Sequence, residues 1–362
     1  MSKVILTRYL YQISDVKNSL LFSVLEKKDI NECYYWLSEL YYSGYKNESW
    51  DMIMRIFYEF YALSNIKMNK YIVSQYGKWV TKNDIKYLAE IIKNLFYCSS
   101  DCFIFLVNNV KVDNIISVVG NKIRRKIILN DKKKYVTSDF QDDEKFINAL
   151  NKKDIKFIIS FIKKSNDIDV IIKNIEIFTN KKILTNKYFK DIKTLAIVHI
   201  IQFYFAKHKL QKRKLKILKK EMKFINQTNE NISPTYKTLK LKRIYKIHKY
   251  SNILKKIVLK ENIKTDILWY HWEYYAYKSP IWKERFDKYK IKIDNKEKTI
   301  VFENDDDIED FYEKYGYEPD EQSKEVQYKS INTDINYYLI DFIKNIYPEN
   351  KITSNNLKLC VS

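Results

Sequence analysis

Four glycines and four prolines in 362 residues constrain this chain more than any other feature. Ordinary usage is roughly 7% Gly and 5% Pro, so both are depleted severalfold. Tight hairpins need residues that reach positive φ or hold φ preset, and a chain with so few of them can make few such turns. It suits helices joined by Asn, Asp, Ser and Lys loops. Hydrophobic residues at 46% exclude a disordered chain, and 31 Tyr with 19 Phe predict an aromatic-rich interior. The expectation is a mainly α fold, a helical bundle or short solenoid-like helix pairs, with a small mixed α+β part at the C-terminal end.

Periodicity divides the chain. Residues 1–110 read as an N-terminal helical domain. Asp29 and Glu32 have capping-box spacing, the helix they open carries Cys33, Trp36, Leu37, Leu40 and Tyr41 on one side, and Gly44 stops it. The next helix shows Trp50, Ile53, Phe57 and Phe60. Thr81 is expected to cap a further one with Leu88, Ile91, Ile92, Leu95 and Phe96. The pattern weakens over 111–141, a basic linker with Lys122, Arg124, Arg125, Lys126 and Lys132 to Lys134. A second helical domain spans 142–262, with helices over 146–150, 155–162 and 170–178 and a central one, apolar nearly all round, over 188–206. Residues 263–362 are rich in aromatics and acids. Ser279-Pro280 restarts a helix, residues 291–293 and 299–302 alternate as a small β-hairpin, and helices are expected over 308–315 and 335–346.

The charge is concentrated in 207–260, where eighteen Lys and Arg face only Glu221 and Glu230, a net of +16 in a chain of formal charge +21. Leu215, Leu218, Met222 and Ile225 form one apolar seam, and Ile244, Ile247, Leu254 and Ile257 a second. Two basic amphipathic helices joined as a hairpin are therefore expected. The residues proposed to face a polyanion are Lys212, Arg213, Lys214, Lys216, Lys219 and Lys220 in the first half, and Lys240, Lys242, Arg243, Lys246 and Lys249 in the second. Lysine outnumbers arginine there, which favours phosphate contact over bidentate base reading, and Tyr236, Tyr245 and Tyr250 are available for stacking. Two facts weigh against the charge: Lys, Asn, Ile and Tyr together are what an AT-rich genome over-produces, and residues 303–325 carry eleven acids against Lys314 and Lys324, an internal partner of −9.

Four strings, Leu6-Thr7-Arg8-Tyr9-Leu10-Tyr11, Tyr35-Trp36-Leu37-Ser38-Glu39-Leu40-Tyr41-Tyr42-Ser43-Gly44-Tyr45, Ser279-Pro280-Ile281-Trp282-Lys283-Glu284-Arg285 and Tyr315-Gly316-Tyr317-Glu318-Pro319-Asp320-Glu321-Gln322, resemble uncharacterised proteins of giant nucleocytoplasmic large DNA viruses of the mimivirus-like kind. The resemblance implies a virus-encoded protein acting in the host cytoplasm, in a viral factory or in the virion. It carries over no activity and no site residues.

Other constellations point away from chemistry. Two-metal hydrolysis needs carboxylates about 4 Å apart around two ions, and the acids of 303–325 read instead as a solvated helix start. His271-Trp272-Glu273 matches half of a zinc-deaminase pattern, without its Pro-Cys-x-x-Cys half. Four His and four Cys show no ligand spacing for zinc, and no Gly-rich phosphate loop is present. No catalytic residue, metal or cofactor is assigned. Nor is there an apolar run of the roughly 20 residues that a membrane span needs, nor a secretory signal. The expected function is non-enzymatic binding of nucleic acid through the basic hairpin, in replication, transcription or packaging. The alternative is a scaffolding protein of the virion or viral factory that binds other viral proteins.

Overall fold

The computed structural model describes residues 4–109, 142–183, 189, 191–205, 214–228, 236–254, 265–331 and 337–347. The described chain is mainly α, with one two-stranded antiparallel sheet near its C-terminal end. The expected linker over 111–141 lies outside the described residues. Two compact units divide the chain, each gathered from three stretches. Met1–Met52, Lys82–Phe96 and Leu215–Tyr338 make the first, and Ile53–Thr81, Tyr97–Lys214 and Leu339–Ser362 the second. Neither unit is one continuous run of sequence.

In the second unit, helices Asp142–Lys152, Ile155–Lys164 and Ile168–Thr179 match the expected pieces. Asp154 and Asp167 cap the latter two by accepting from the amides of Phe157 and Val170. The Ile192–Phe205 helix buries Leu195, Ala196, Ile197, Val198, Ile200, Ile201 and Tyr204. A helix apolar on nearly every face has to be surrounded, and Tyr204 places its one hydroxyl on the Leu150 carbonyl at 2.7 Å.

In the first unit, helices Ile13–Glu26 and Ile30–Tyr42 pack together, and Lys86–Phe96 joins them through Leu88, Ile91, Ile92 and Leu95. Two start signals work differently from the expectation. Asp29 accepts from the Asn31 amide, but Glu32 accepts from the Trp36 indole instead of reaching back, so the box stays open. Thr81 lies inside the helix Met68–Lys82 and donates to the Gly77 carbonyl, while Asp84 accepts from the Lys86 amide ahead of the Lys86–Phe96 helix. At the C-terminal end, strands β1 (Ile291–Asp294) and β2 (Thr299–Phe302) pair with Ile291 opposite Phe302. Phe302 then meets Phe311 of the Asp305–Tyr315 helix, whose N-cap is Asn304. Phe286 stacks on Phe311 with 4.5 Å between ring centroids, and Trp282 meets Trp272 edge-on at 5.1 Å.

Among the described residues the basic stretch departs most from expectation, because they do not form the two long amphipathic helices. Helix Lys219–Gln227 is nine residues long, Tyr236–Lys242 is seven, and Ser251–Leu254 is a 3-10 turn. Residues 214–218 and 243–248 are not helical. Distant side chains hold the backbone groups that a helix would need. Asn94 donates to the Leu215 carbonyl and accepts from the Leu215 amide, and Lys93 takes the Lys216 carbonyl. In the second half Tyr35 donates to the Lys242 carbonyl, Tyr11 to that of Tyr245, and the Ile247 amide donates to the Lys329 carbonyl. Seam periodicity was real, but fixed polar groups of the first unit compete with helix formation here.

Candidate functional site

Glu221 places the first half of the basic stretch. It is one of only two acids among eighteen cations, and it turns inward. Its carboxylate meets the Lys93 ammonium at 2.8 Å, with both side chains about one tenth exposed. It also accepts from the Leu218 amide, closing the N-terminus of the Lys219–Gln227 helix, and from the Tyr34 hydroxyl at 3.4 Å. Ile225, on the same side of the helix, is fully buried. With the acid and Ile225 turned in, Lys216, Lys219, Lys220 and Lys223 are left exposed.

Beside them lies a groove of about 470 Å³. Lys86, exposed at the start of the Lys86–Phe96 helix, stands on it together with Lys219 and Lys223. Its apolar surface is Ile217, Leu218 and Met222, and Leu218 keeps 50% of its surface in water. Two exposed amides, Asn226 and Gln227, complete it. Among the described residues no carboxylate lines the groove.

The remaining expected residues separate. Lys212 and Arg213 lie outside the described residues. Lys214 is exposed in the second unit, with its ammonium 5.2 Å from the Tyr71 ring centroid. Lys240 and Lys246 are exposed, and Lys249 is half-buried against the rings of Tyr250 and Tyr337. Lys242 and Arg243 are corrected: both are buried, Arg243 completely. The Arg243 guanidinium donates to the carbonyls of Tyr9, Leu10 and Val326. Burial draws its pKa down to about 10, against the opposing pull of Tyr11 and Tyr35, so it stays charged at neutral pH. Its donors are committed inside the protein, and it cannot meet a phosphate. Tyr245 and Tyr250 are likewise engaged, Tyr245 on the Asp29 carboxylate at 2.7 Å and Tyr250 in the core.

The segments 6–11, 35–45, 279–285 and 315–322 come together in this same unit. Trp282 donates to the Thr7 carbonyl at 3.0 Å and the Ile281 amide to that of Ser43. The Arg8 guanidinium is paired with Glu39 at 2.8 Å, both buried, and Arg285 lies over the rings of Trp282 and Tyr315. This is a packed polar core that fixes Tyr9 and Leu10, the acceptors of Arg243.

The acidic stretch pairs locally. Among the described residues its ion pairs are Glu303 with Lys292, Asp310 with Lys314 and Glu325 with Lys329, and none is with a cation of the basic stretch. Nearby, Tyr312 donates to Glu273, which burial raises to about 7 with the help of Glu318 and Asp320. Among the described residues no group of His, Cys, Asp and Glu could hold a metal ion, and no helix is long and apolar enough to cross a membrane. No family model matches the chain, and neither a curated protein nor a solved structure matches it.

Periodicity in the sequence missed Lys86, Asn226 and Gln227 as site residues, and Lys93 with Asn94 as their supports. One signal was available: a lone Glu at 221 inside so dense a cation run calls for a partner of its own.

Proposed function

We propose that this protein binds nucleic acid through the phosphate backbone, with Lys216, Lys219, Lys220, Lys223 and Lys86 as the contacting cations. The observation that carries the reading is the inward turn of Glu221 onto Lys93, while those lysines stay exposed and, among the described residues, no carboxylate joins Lys86, Lys219 and Lys223 on the groove. Lysine is a point charge that serves phosphate without reading base edges. The alternative, a scaffolding protein that binds other viral proteins, would gain if the acidic stretch covered the basic one; among the described residues the ion pairs of the acidic stretch are instead with Lys292, Lys314 and Lys329. With the giant-virus resemblance, replication, transcription or packaging in a viral factory or virion is the setting proposed for such binding.

The test is titration of labelled DNA and RNA at several salt concentrations. Five phosphate contacts give a log–log slope of about −4. Reversing Lys216, Lys219, Lys220 and Lys223 to Glu abolishes both affinity and slope, whereas reversing the exposed Lys292 leaves them in place. Absence of affinity at low salt, or a charge-reversed variant that binds as the parent does, refutes the reading.

A further inference from the structure

The groove beside the Lys219–Gln227 helix contains more than a phosphate site needs. Phosphate contact alone is served by exposed lysines on any surface. Here three lysines surround Ile217, Leu218 and Met222, and Leu218 stays half in water at the N-terminus of a helix that buries Ile225 but leaves Met222 partly exposed. The amides of Asn226 and Gln227 lie on the same groove. Its volume, about 470 Å³, falls within the range of roughly 300–1,000 Å³ typical of small-molecule sites.

Each part matches one part of a nucleotide whose base is turned out of any stack. Ammonium groups suit the phosphates, aliphatic side chains suit the face of a base, and a side-chain amide offers the donor and acceptor that a base edge requires. A duplex keeps its base faces stacked and would leave Leu218 and Met222 uncovered. An acidic peptide would match the lysines and the apolar floor but has no need of two amides. We infer that this groove is the seat of a single-stranded nucleic acid, with one unstacked base lying on Leu218 and Met222 and the flanking phosphates on Lys86, Lys219 and Lys223. This rests on the phosphate-binding reading above and adds the substrate class to it.

The experiment uses the full chain and four probes: a mixed-sequence single strand, an abasic single strand of equal phosphate number, a duplex, and a Glu/Leu-rich peptide. Fluorescence anisotropy at several salt concentrations gives the affinities and the salt slope. The single strand is expected to bind about tenfold tighter than the abasic strand or the duplex, which is what covering an aliphatic floor of this size provides. Leu218→Ala and Asn226→Ala, both at exposed positions, reduce that ratio toward one and leave the salt slope unchanged; Lys219→Glu weakens all nucleic-acid probes alike. Equal binding of intact and abasic strands, with the salt slope intact, overturns the base seat while leaving the phosphate reading standing. No binding by any nucleic acid overturns both. Tighter binding of the peptide than of the single strand assigns the groove to an acidic protein and overturns the inference.

Discussion

Glu221→Ala adds one positive charge to the most basic stretch of the chain, and a count of charges predicts tighter polyanion binding. The structure predicts the opposite. Glu221 and Lys93 are 2.8 Å apart and about nine-tenths covered. At an effective dielectric of about 20 their attraction is on the order of 6 kcal/mol. Desolvation offsets part of this, and losing one partner of such a pair costs about 3–5 kcal/mol because the other charge stays buried alone. The Leu218 amide and the Tyr34 hydroxyl lose their acceptor as well. Trp36, Trp50, Trp269, Trp272 and Trp282 all belong to the first unit and only Trp79 to the second, so tryptophan fluorescence in urea follows mainly the unit concerned. Glu221→Ala is expected to lower its midpoint, Lys93→Met to do likewise, and the double variant to cost less than the two singles combined. At concentrations of denaturant where the variant is still folded, its affinity for a single strand should fall, because the lysines lose their fixed spacing. A loss of stability under about 1 kcal/mol together with tighter binding would refute the account and leave bulk charge as the cause.

Three further outcomes follow from the first unit. Arg243→Met removes the donor from the buried carbonyls of Tyr9, Leu10 and Val326 and should cost at least about 3 kcal/mol in urea unfolding, whereas Lys240→Met, at an exposed site, should stay within about 0.5 kcal/mol. Gly44→Ala places a Cβ 2.5 Å from that of Pro280 on a backbone with φ of +93°, so thermal unfolding should report a loss of about 2–4 kcal/mol. Glu273, raised by burial from 4.5 to about 7, holds a proton in the folded protein that it gives up on unfolding. The stability this provides is complete below about pH 4.5 and is lost as pH rises to about 7, by at most ~3 kcal/mol; Glu273→Gln should flatten that part of a stability–pH profile.

Much of the fold was legible because its causes are local. Ser279-Pro280 opens the Pro280–Phe286 helix as expected, and the Ile192–Phe205 helix shows its burial in composition alone. The β-hairpin follows from alternation around Asp294 and Asn295. What could not be read has its causes elsewhere in the chain. Residues 214–218 have the periodicity of a helix, yet Asn94, 121 positions away from Leu215, holds both backbone groups of that residue. Arg243 sits among exposed cations, and its burial depends on carbonyls 234 and 233 positions earlier, at Tyr9 and Leu10. Its residue type was the one local hint. In a run made almost wholly of lysine, an arginine offers a planar fork of donors suited to several fixed acceptors, and three carbonyls are what it finds.

The same distinction bears on why the lysines are there. Genomic bias toward AT-rich codons multiplies lysine without regard to where it falls, and it would leave cations buried, paired and exposed as the fold happened to dictate. Of the eleven cations first singled out, Lys242 and Arg243 are buried and Lys249 rests on aromatic rings, so a share of the charge does serve the fold. Codon bias gives no reason, however, for the acid of the Lys219–Gln227 helix to be directed inward onto a lysine from another helix, or for the described residues of a groove that mixes lysines, aliphatic side chains and amides to include no carboxylate. The proposed binding surface therefore rests on the placement of Glu221 more than on the abundance of lysine. A variant with its net charge held constant, Glu221→Gln paired with Lys292→Met, is therefore the sharper probe. If placement matters, affinity drops although no charge has been gained or lost overall; if composition alone matters, the affinity stays where it was.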